Sequence, residues 1–530
     1  MRGPLLEIRG LEVAFGARRV VRGVDLRLAP GESLAIVGES GSGKSMAISA
    51  MAGLLPPSAR ASGSTRFDGI DLSSGMDGLR GRRIGFVFQD VLGALNPFMR
   101  VGTQVAEGIA RHLPLGRSAR RSRVEALLEE VGLSPATEHA RRFPHQLSGG
   151  QRQRVAIAMA IACDPDLLVA DEPTSALDVT VQARILDLLV SLRRRRGLAL
   201  VLVTHDLSVA SRVCDRVAVM HAGAVVEEGA LREVFAAPRH PHARALLGAR
   251  GRVARDAHEA VARPPFAAEI LGLGVSHAMG LGRAPVVAVR DASFSIGEGE
   301  SVGLVGESGS GKSTLARALV GLARPGTGSV RVFGEDPATT RDRRRFARRC
   351  QVVMQDPAGA LNPRLRVLDA VAEPLVEHGL ARGDELVERC AALLGEVGLE
   401  REHLRRFPHQ LSGGQRQRVA IARAIALDPG LLVCDEPVSA LDMTIQRQVL
   451  ELLDRLRRDR GMAMLFISHD LDAVAQVCDR IIVMKDGSIV EVGATRQVIE
   501  RPSAEYTREL VASARAGGTV GSMPPGAAPG

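Results

Sequence analysis

Tryptophan is absent from this chain, and tyrosine occurs once, at Tyr506. Aromatic faces on which bases could stack are therefore scarce, and no nucleic-acid partner is expected. Lysine is almost missing as well: of 69 basic residues, all but Lys44, Lys312 and Lys485 are arginine. With alanine and glycine abundant, that bias reads as the codon usage of a GC-rich genome. The net charge of +9 suits an anionic membrane surface better than a phosphate track. The basic runs Arg193–Arg196 and Arg343–Arg345 read as solvated helix ends. No stretch approaches the roughly 18 to 20 unbroken apolar residues of a membrane helix. The best candidates, Val155–Cys163 and Leu198–Val203, are the length of buried core elements. A signal peptide is not expected, because Leu5–Phe15 already reads as a first strand. Cysteine is sparse and scattered: Cys163, Cys214, Cys350, Cys390, Cys434 and Cys478 show no C-x-x-C spacing, so buried reduced thiols are expected. These absences leave a cytosolic protein unless a partner holds it at a membrane.

What is present is a repeat. FPHQLSGGQRQRVAIA at Phe143–Ala158 recurs letter for letter at Phe407–Ala422, 264 residues on. The same offset relates Glu172 to Glu436 and His205 to His469, and slightly larger ones relate Lys44 to Lys312 and Gln89 to Gln355. Units of about 240 residues are too large for a solenoid and read as duplicated domains. We place them at residues 1–248 and 269–512, joined by a linker at 249–268 that holds the Pro264–Pro265 pair, with a disordered Gly/Pro/Ala-rich tail at 513–530. Within each half, short apolar runs alternate with helical patterns, which argues for an α/β fold. Leu167–Ala170 and Leu431–Cys434 are unbroken apolar runs, as in strands buried on both faces. Val124, Leu127, Leu128 and Val131 recur at helical spacing, as do Leu386, Cys390, Leu393 and Val397. Each half should therefore carry a helical subdomain ahead of its LSGGQ stretch.

The pattern G-x-x-x-x-G-K-[ST] occurs twice, as Gly38, Glu39, Ser40, Gly41, Ser42, Gly43, Lys44 and Ser45, and as Gly306, Glu307, Ser308, Gly309, Ser310, Gly311, Lys312 and Ser313. Its glycines let successive N–H groups face phosphates, and the helix that follows presents its positive end to the same charge. Lys44 and Lys312 would reach the β- and γ-phosphates of ATP, and the Ser45 and Ser313 hydroxyls would meet Mg²⁺. Two of the three lysines thus stand where a compact ammonium is wanted rather than a planar guanidinium. After a phosphate loop, Asp171 and Asp435 read as part of the Mg²⁺ shell, and Glu172 and Glu436 as the groups that polarise the attacking water. His205 and His469, matched in the two copies just past apolar runs, read as γ-phosphate sensors. A second anion site is expected at Ser148, Gly149, Gly150 and Gln151, and at Ser412, Gly413, Gly414 and Gln415, where Ser and two glycines open a helix. Each half thus has two phosphate-binding edges, though one ATP needs one P-loop. The economical arrangement is head-to-tail, with ATP between the P-loop of one half and the LSGGQ of the other.

Each half resembles the nucleotide-binding domain of an ABC transporter, from about Leu5 to Leu510. The resemblance implies a P-loop NTPase with a RecA-like core, an antiparallel β subdomain and a helical subdomain. Gln89 and Gln355 match the Q-loop glutamine that touches Mg²⁺, and Ser175–Asp178 and Ser439–Asp442 match the D-loop. Phe15 matches the aromatic that stacks on adenine, where the second half has His277 and so departs from the pattern. Met46 stands where the second copy has Thr314, beside the Mg²⁺ hydroxyl. Both halves keep Lys, Gln, Ser, Asp, Glu and His, so two hydrolytically competent sites are expected.

Finer resemblance points to the oligopeptide/dipeptide/nickel importer group. Gln355–Pro363 (QDPAGALNP) looks like that group's extended Q-loop, and Gln89–Pro97 is similar apart from Val91. His240–Leu247 (HPHARALL) resembles its His-Pro-Tyr-Thr-Arg box with His242 in place of tyrosine, and Glu505–Leu510 is a partial second copy. No cysteine cluster follows either box, so no iron–sulfur centre is expected. The resemblance implies two transmembrane permease subunits as partners and, through them, an extracytoplasmic substrate-binding protein, with the two halves pairing within the chain. It also implies a peripheral place at the cytoplasmic face of the inner membrane. Peptides are the leading substrate, with nickel, opines and oligosaccharides open. One rival is a soluble twin-cassette ATPase acting on ribosomes or nucleic acid; such proteins have a long charged helical linker, unlike the short, proline-containing one here. A second is a fused sugar-importer ATPase, which a degenerate cassette would favour.

Overall fold

The computed structural model describes residues 3–39, 41–72, 75–76, 78–174, 177, 179–248, 265–277, 285–439 and 441–518. Ser40 of the first P-loop, Ser175, Ala176 and Asp178 of the first D-loop and Ala440 of the second lie outside these residues, as do most of the expected linker and the end of the tail. The chain divides into two compact units, Met1–Arg250 and Gly251–Arg515.

In the first unit the strands are β1 (Leu6–Phe15), β2 (Arg18–Leu28), β3 (Ser33–Val37), β4 (Ala59–Phe67), β5 (Ile70–Asp71), β6 (Ile84–Val87), β7 (Leu167–Asp171), β8 (Ala199–Thr204), β9 (Arg216–His221) and β10 (Ala224–Ala230). They make a four-stranded sheet in the order β2-β1-β4-β5 and a six-stranded sheet in the order β10-β9-β3-β8-β7-β6. Pairing is parallel from β9 to β6, and β10 closes the edge antiparallel. Parallel neighbours need crossovers, and the helices that supply them cover the sheet, so its strands must be apolar on both sides. β3 is buried at all five positions, and its side chains divide by the two-residue period of a strand. Leu34 and Ile36 enter the core shared with the antiparallel sheet and the helix Lys44–Met51, whereas Ala35 and Val37 enter the core under the helices.

The second unit repeats this plan with β11 (Phe266–His277), β12 (Val286–Gly297), β13 (Ser301–Val305), β14 (Thr327–Val332), β15 (Cys350–Val353), β16 (Leu431–Asp435), β17 (Ala463–Ile467), β18 (Arg480–Lys485) and β19 (Ser488–Ala494). Its sheets run β12-β11-β14 and β15-β16-β17-β13-β18-β19, the latter being the first unit's order read from the other edge. Between the Q-loop and the LSGGQ stretch, each unit inserts helices: Val101–His112, Arg117–Glu130 and Ala136–Arg141 in the first, Val367–Glu377 and Gly383–Glu396 in the second. Val124, Leu127, Leu128 and Val131 are buried there, as are Cys390, Leu393 and Val397, while Leu386 packs at the margin.

Three readings of the sequence change. β11 begins at Phe266, inside the segment read as linker, because Ala267 and Ala268 are buried in the sheet core. The last helix, Glu505–Gly518, runs past residue 513, with Tyr506, Leu510 and Val511 buried on its inner face. The run Arg193–Arg196 is only partly solvated: Arg193 pairs with Asp215, and Arg196 with Glu130 and Asp164. Arg343–Arg345, by contrast, is exposed at a helix start. All six cysteines are buried free thiols, and burial pushes Cys390 up to about 11 and Cys350 up to about 12. Among the described residues, no helix is long and apolar enough to cross a membrane.

Candidate nucleotide site

Each phosphate loop leaves a fully buried strand, β3 or β13, and opens a helix, Lys44–Met51 or Lys312–Leu319. The residue before the helix must be glycine. Gly43 has φ 99° and Gly311 φ 101°, and a Cβ there would stand 2.6 Å from the Val20 carbonyl oxygen or 2.3 Å from that of Ala288. The ammonium groups are buried at the centre of the loop. Lys44 Nζ donates to the carbonyls of Gly38 (2.7 Å) and Glu39 (2.8 Å), and Lys312 Nζ to those of Gly306 (2.8 Å) and Glu307 (2.7 Å). Backbone curvature, a helix start and a held cation together make a cradle for a polyphosphate.

Around each loop the sequence-predicted acids and amides come together from four separate elements. Ser45 Oγ donates to Asp171 Oδ1 at 3.3 Å, and Ser313 Oγ to Asp435 Oδ1 at 3.1 Å. Gln89 Nε2 donates to Glu172 Oε2, and Gln355 Nε2 to Glu436 Oε2, both at 3.0 Å. His205 Nδ1 lies 3.0 Å from Glu172 Oε1, and His469 Nδ1 lies 3.4 Å from Glu436 Oε2. Glu172 and Glu436 occupy the left-handed region, at φ 45° and 47°, which a residue with a side chain seldom adopts. Backbone bonds from their N–H groups to the Val203 and Ile467 carbonyls hold them there.

Electrostatics separates the adjacent carboxylates. Burial raises the pKa of Asp171 and Asp435, and the neighbouring glutamate adds to the effect. Burial also pushes up on Glu172 and Glu436, but the histidine bond and charge, the P-loop lysine and the Q-loop amide outweigh it and hold both below the usual carboxylate range. Burial pulls His205 and His469 down, and the glutamate contact reverses the sign, so both imidazoles bind protons more readily than usual. The oxygens of Ser45 and Asp171, like those of Ser313 and Asp435, are the hard donors that Mg²⁺ takes. With Nε2 of Gln89 and Gln355 given to glutamate, the amide oxygens are the groups left to face such a cation.

The LSGGQ residues are placed on another element. Ser148 caps the helix Gly149–Ala160, accepting from Gln151 N–H at 3.3 Å while Gln151 Oε1 accepts from Ser148 N–H at 3.0 Å; Ser412 and Gln415 repeat this at 3.2 and 3.0 Å. Ser439 Oγ donates to the Glu436 carbonyl, and Asp442 caps the helix Met443–Arg460. Phe15 ends β1 and His277 ends β11. His277 Nε2 lies 3.2 Å from Thr314 Oγ1, so the two departures of the second copy from Phe15 and Met46 meet in space.

Sequence reasoning missed how the C-terminal boxes are held. Glu227 accepts from the backbone N–H groups of Arg239 and His240, and Glu491 from those of Ser503 and Ala504. The box then turns back to the phosphate loop, where Glu307 N–H donates to Tyr506 Oη at 3.1 Å. A matching glutamate in each half, 264 residues apart, was the available signal.

The ABC transporter family model matches residues 21–175 and 289–439, one stretch in each unit. The oligopeptide transport ATP-binding protein OppD of Mycobacterium tuberculosis is 41% identical over 599 residues, covering 96% of this chain and 98% of its own. The glutathione import ATP-binding protein GsiA of Pectobacterium atrosepticum is 41% identical over 555 residues, covering 96% and 89%. That of Escherichia coli K12 is 40% identical over 560 residues, with the same coverage.

Proposed function

This chain belongs to the ABC transporter family and hydrolyses ATP to drive transport, and from that premise we propose that it energises an importer of peptides or of small peptide-like thiols. The observation that carries the reading is the set Lys, Ser, Asp, Glu, Gln and His assembled with matching partners around both phosphate loops. Similarity to OppD and GsiA along nearly the whole chain supports the substrate class. The extended Q-loops and the docked C-terminal boxes agree with it.

In the mechanism we infer, Lys44 and Lys312 hold the β- and γ-phosphates within the backbone cradle. Ser45, Asp171 and Gln89 would hold Mg²⁺ in the first site, and Ser313, Asp435 and Gln355 in the second; the cation offsets charge on the phosphate oxygens. Glu172 and Glu436, kept ionised by their partners, accept a hydrogen bond from water and aim its oxygen at the γ-phosphorus. The new P–O bond forms as the bond to the β-phosphate oxygen breaks; ADP leaves, and the water's proton passes through the glutamate to the product phosphate. His205 and His469 orient the glutamates and sense the γ-phosphate. Because the P-loop and the capped LSGGQ helix are separate anion-binding elements in each unit, we take each ATP to be shared head-to-tail between the halves. Phe88 and Phe98, at the two ends of the first Q-loop region, are exposed, Phe98 at 89%, and suit an apolar permease contact there.

Co-expression with its two permease subunits tests the assignment. The chain should be recovered with the membranes, and a peptide-loaded binding protein should stimulate its ATP turnover in proteoliposomes. Recovery with ribosomes and not with those membranes would overturn it.

A further inference from the structure

The two units differ in chemistry at one contact that the repeat otherwise preserves. At the end of β18, Lys485 Nζ lies 4.7 Å from the centre of the Tyr506 ring, whose hydroxyl meets the P-loop at Glu307. The corresponding residues of the first unit are His221, at the end of β9, His242, in the C-terminal box, and Glu39, in the P-loop. The lysine and tyrosine of the cation–π contact are thereby replaced by two imidazoles, while the glutamate beside them is kept. The imidazole centres are 3.9 Å apart, and one ligand atom from each of the three side chains lies within 4.8 Å of the others. His242 Nε2 is shielded from solvent and has no hydrogen-bond partner among the described residues. Leaving a buried nitrogen unmatched is costly, and a bound ion removes that cost.

We propose that Glu39, His221 and His242 form a binding site for a divalent transition cation of the zinc class. Two imidazoles and one carboxylate are a borderline donor set that suits Zn²⁺, Co²⁺ or Ni²⁺ better than Mg²⁺ or Ca²⁺, and three protein ligands leave a position for water. Tetrahedral bonds of about 2.1 Å put ligand atoms roughly 3.4 Å apart. His221 is exposed and can rotate to close the remaining gap. The second unit cannot do the same, because an ammonium has no lone pair to give. The site is separate from the Mg²⁺ donors, yet it touches the phosphate loop: the Glu39 carbonyl accepts from Lys44 Nζ at 2.8 Å. An ion here would tie the loop to β9 and to the closing helix, and so make nucleotide binding in the first cassette alone respond to the cation.

The test is a Co²⁺ titration of the untagged, chelator-treated full chain, followed by absorption, with Zn²⁺ as competitor. The wild type should take up one Co²⁺ with a visible ligand-field band, displaced by Zn²⁺. His242→Tyr and His221→Lys copy residues that the same fold accommodates in the second unit, and each should weaken binding by at least about tenfold. Lack of saturable micromolar binding in the wild type, or equal binding in both variants, would overturn the proposal and leave the two tilted imidazoles as a packing contact.

Discussion

Asp171 and Glu172 are sequence neighbours buried to similar depth, yet burial prevails at the aspartate and fails at the glutamate, as it does at Asp435 and Glu436. The difference lies in partners: the glutamates receive an imidazole and a carboxamide, each brought from another strand end or loop. The pH dependence follows from the two signs. The raised imidazoles contribute stability in full below their unfolded pKa, near 6.5, and lose it as pH rises through the higher folded value. The lowered glutamates contribute above their unfolded value, near 4.5, and lose it as pH falls through the lower folded one. The contacts are therefore most stabilising between about pH 4.5 and 6.5. The Tm advantage of wild type over a His205→Gln/His469→Gln double variant should be largest near pH 6 and shrink toward pH 9; a gap that widens with pH would contradict the assignment. Composition and motif named these residues, but the direction of each shift depends on distances that no motif encodes.

At the scale of elements, the LSGGQ stretch has a structural duty beside the anion-binding one we propose for it. Its serine and glutamine cap the helix reciprocally, which satisfies N–H groups at the helix start. Its second glycine lets two helices touch: a Cβ on Gly150 would stand 2.4 Å from Val181 Cγ1, and one on Gly414 would stand 2.4 Å from Ile445 Cγ2. Glycine to alanine inside a helix ordinarily stabilises by up to about 1 kcal/mol. Here overpacking against a stiff β-branched neighbour should reverse the sign, so Gly150→Ala should destabilise by about 1–3 kcal/mol, seen as a lower Tm. Val181→Ala in the same chain should recover most of the loss. A Gly150→Ala chain as stable as wild type would refute the close contact. The helix itself was legible from the serine and glycines that open it; its partner was not, because the sequence leaves open which neighbour a helix face meets.

For the molecule as a whole, duplication sets the expectation. Both phosphate loops gather the same residue types, so on the proposed mechanism neither cassette is degenerate. On the proposed mechanism, Glu172→Gln and Glu436→Gln should each remove most of the steady-state ATP turnover, at least about tenfold, because the amide keeps the shape of the glutamate but not its basicity. One single variant that retains wild-type turnover would show the sites to be unequal. The place to seek inequality is the pair His277 and Thr314, which replaces Phe15 and Met46.

By itself the sequence determined the duplication, the α/β plan, the two phosphate loops and the acids that end β7 and β16. Each of these is local: a turn that only glycine can make, an apolar run with an acid at its end, a spacing repeated 264 residues later. Tertiary structure alone decided where β11 begins, which arginines of a basic run are paired, and the opposite pKa shifts of adjacent carboxylates. It also brought Glu39, His221 and His242 together, residues scattered over some two hundred positions of the chain. Such features arise from groups that meet across strands and loops, and burial, charge and hydrogen bonding act over those few ångströms of space, whatever the distance along the chain.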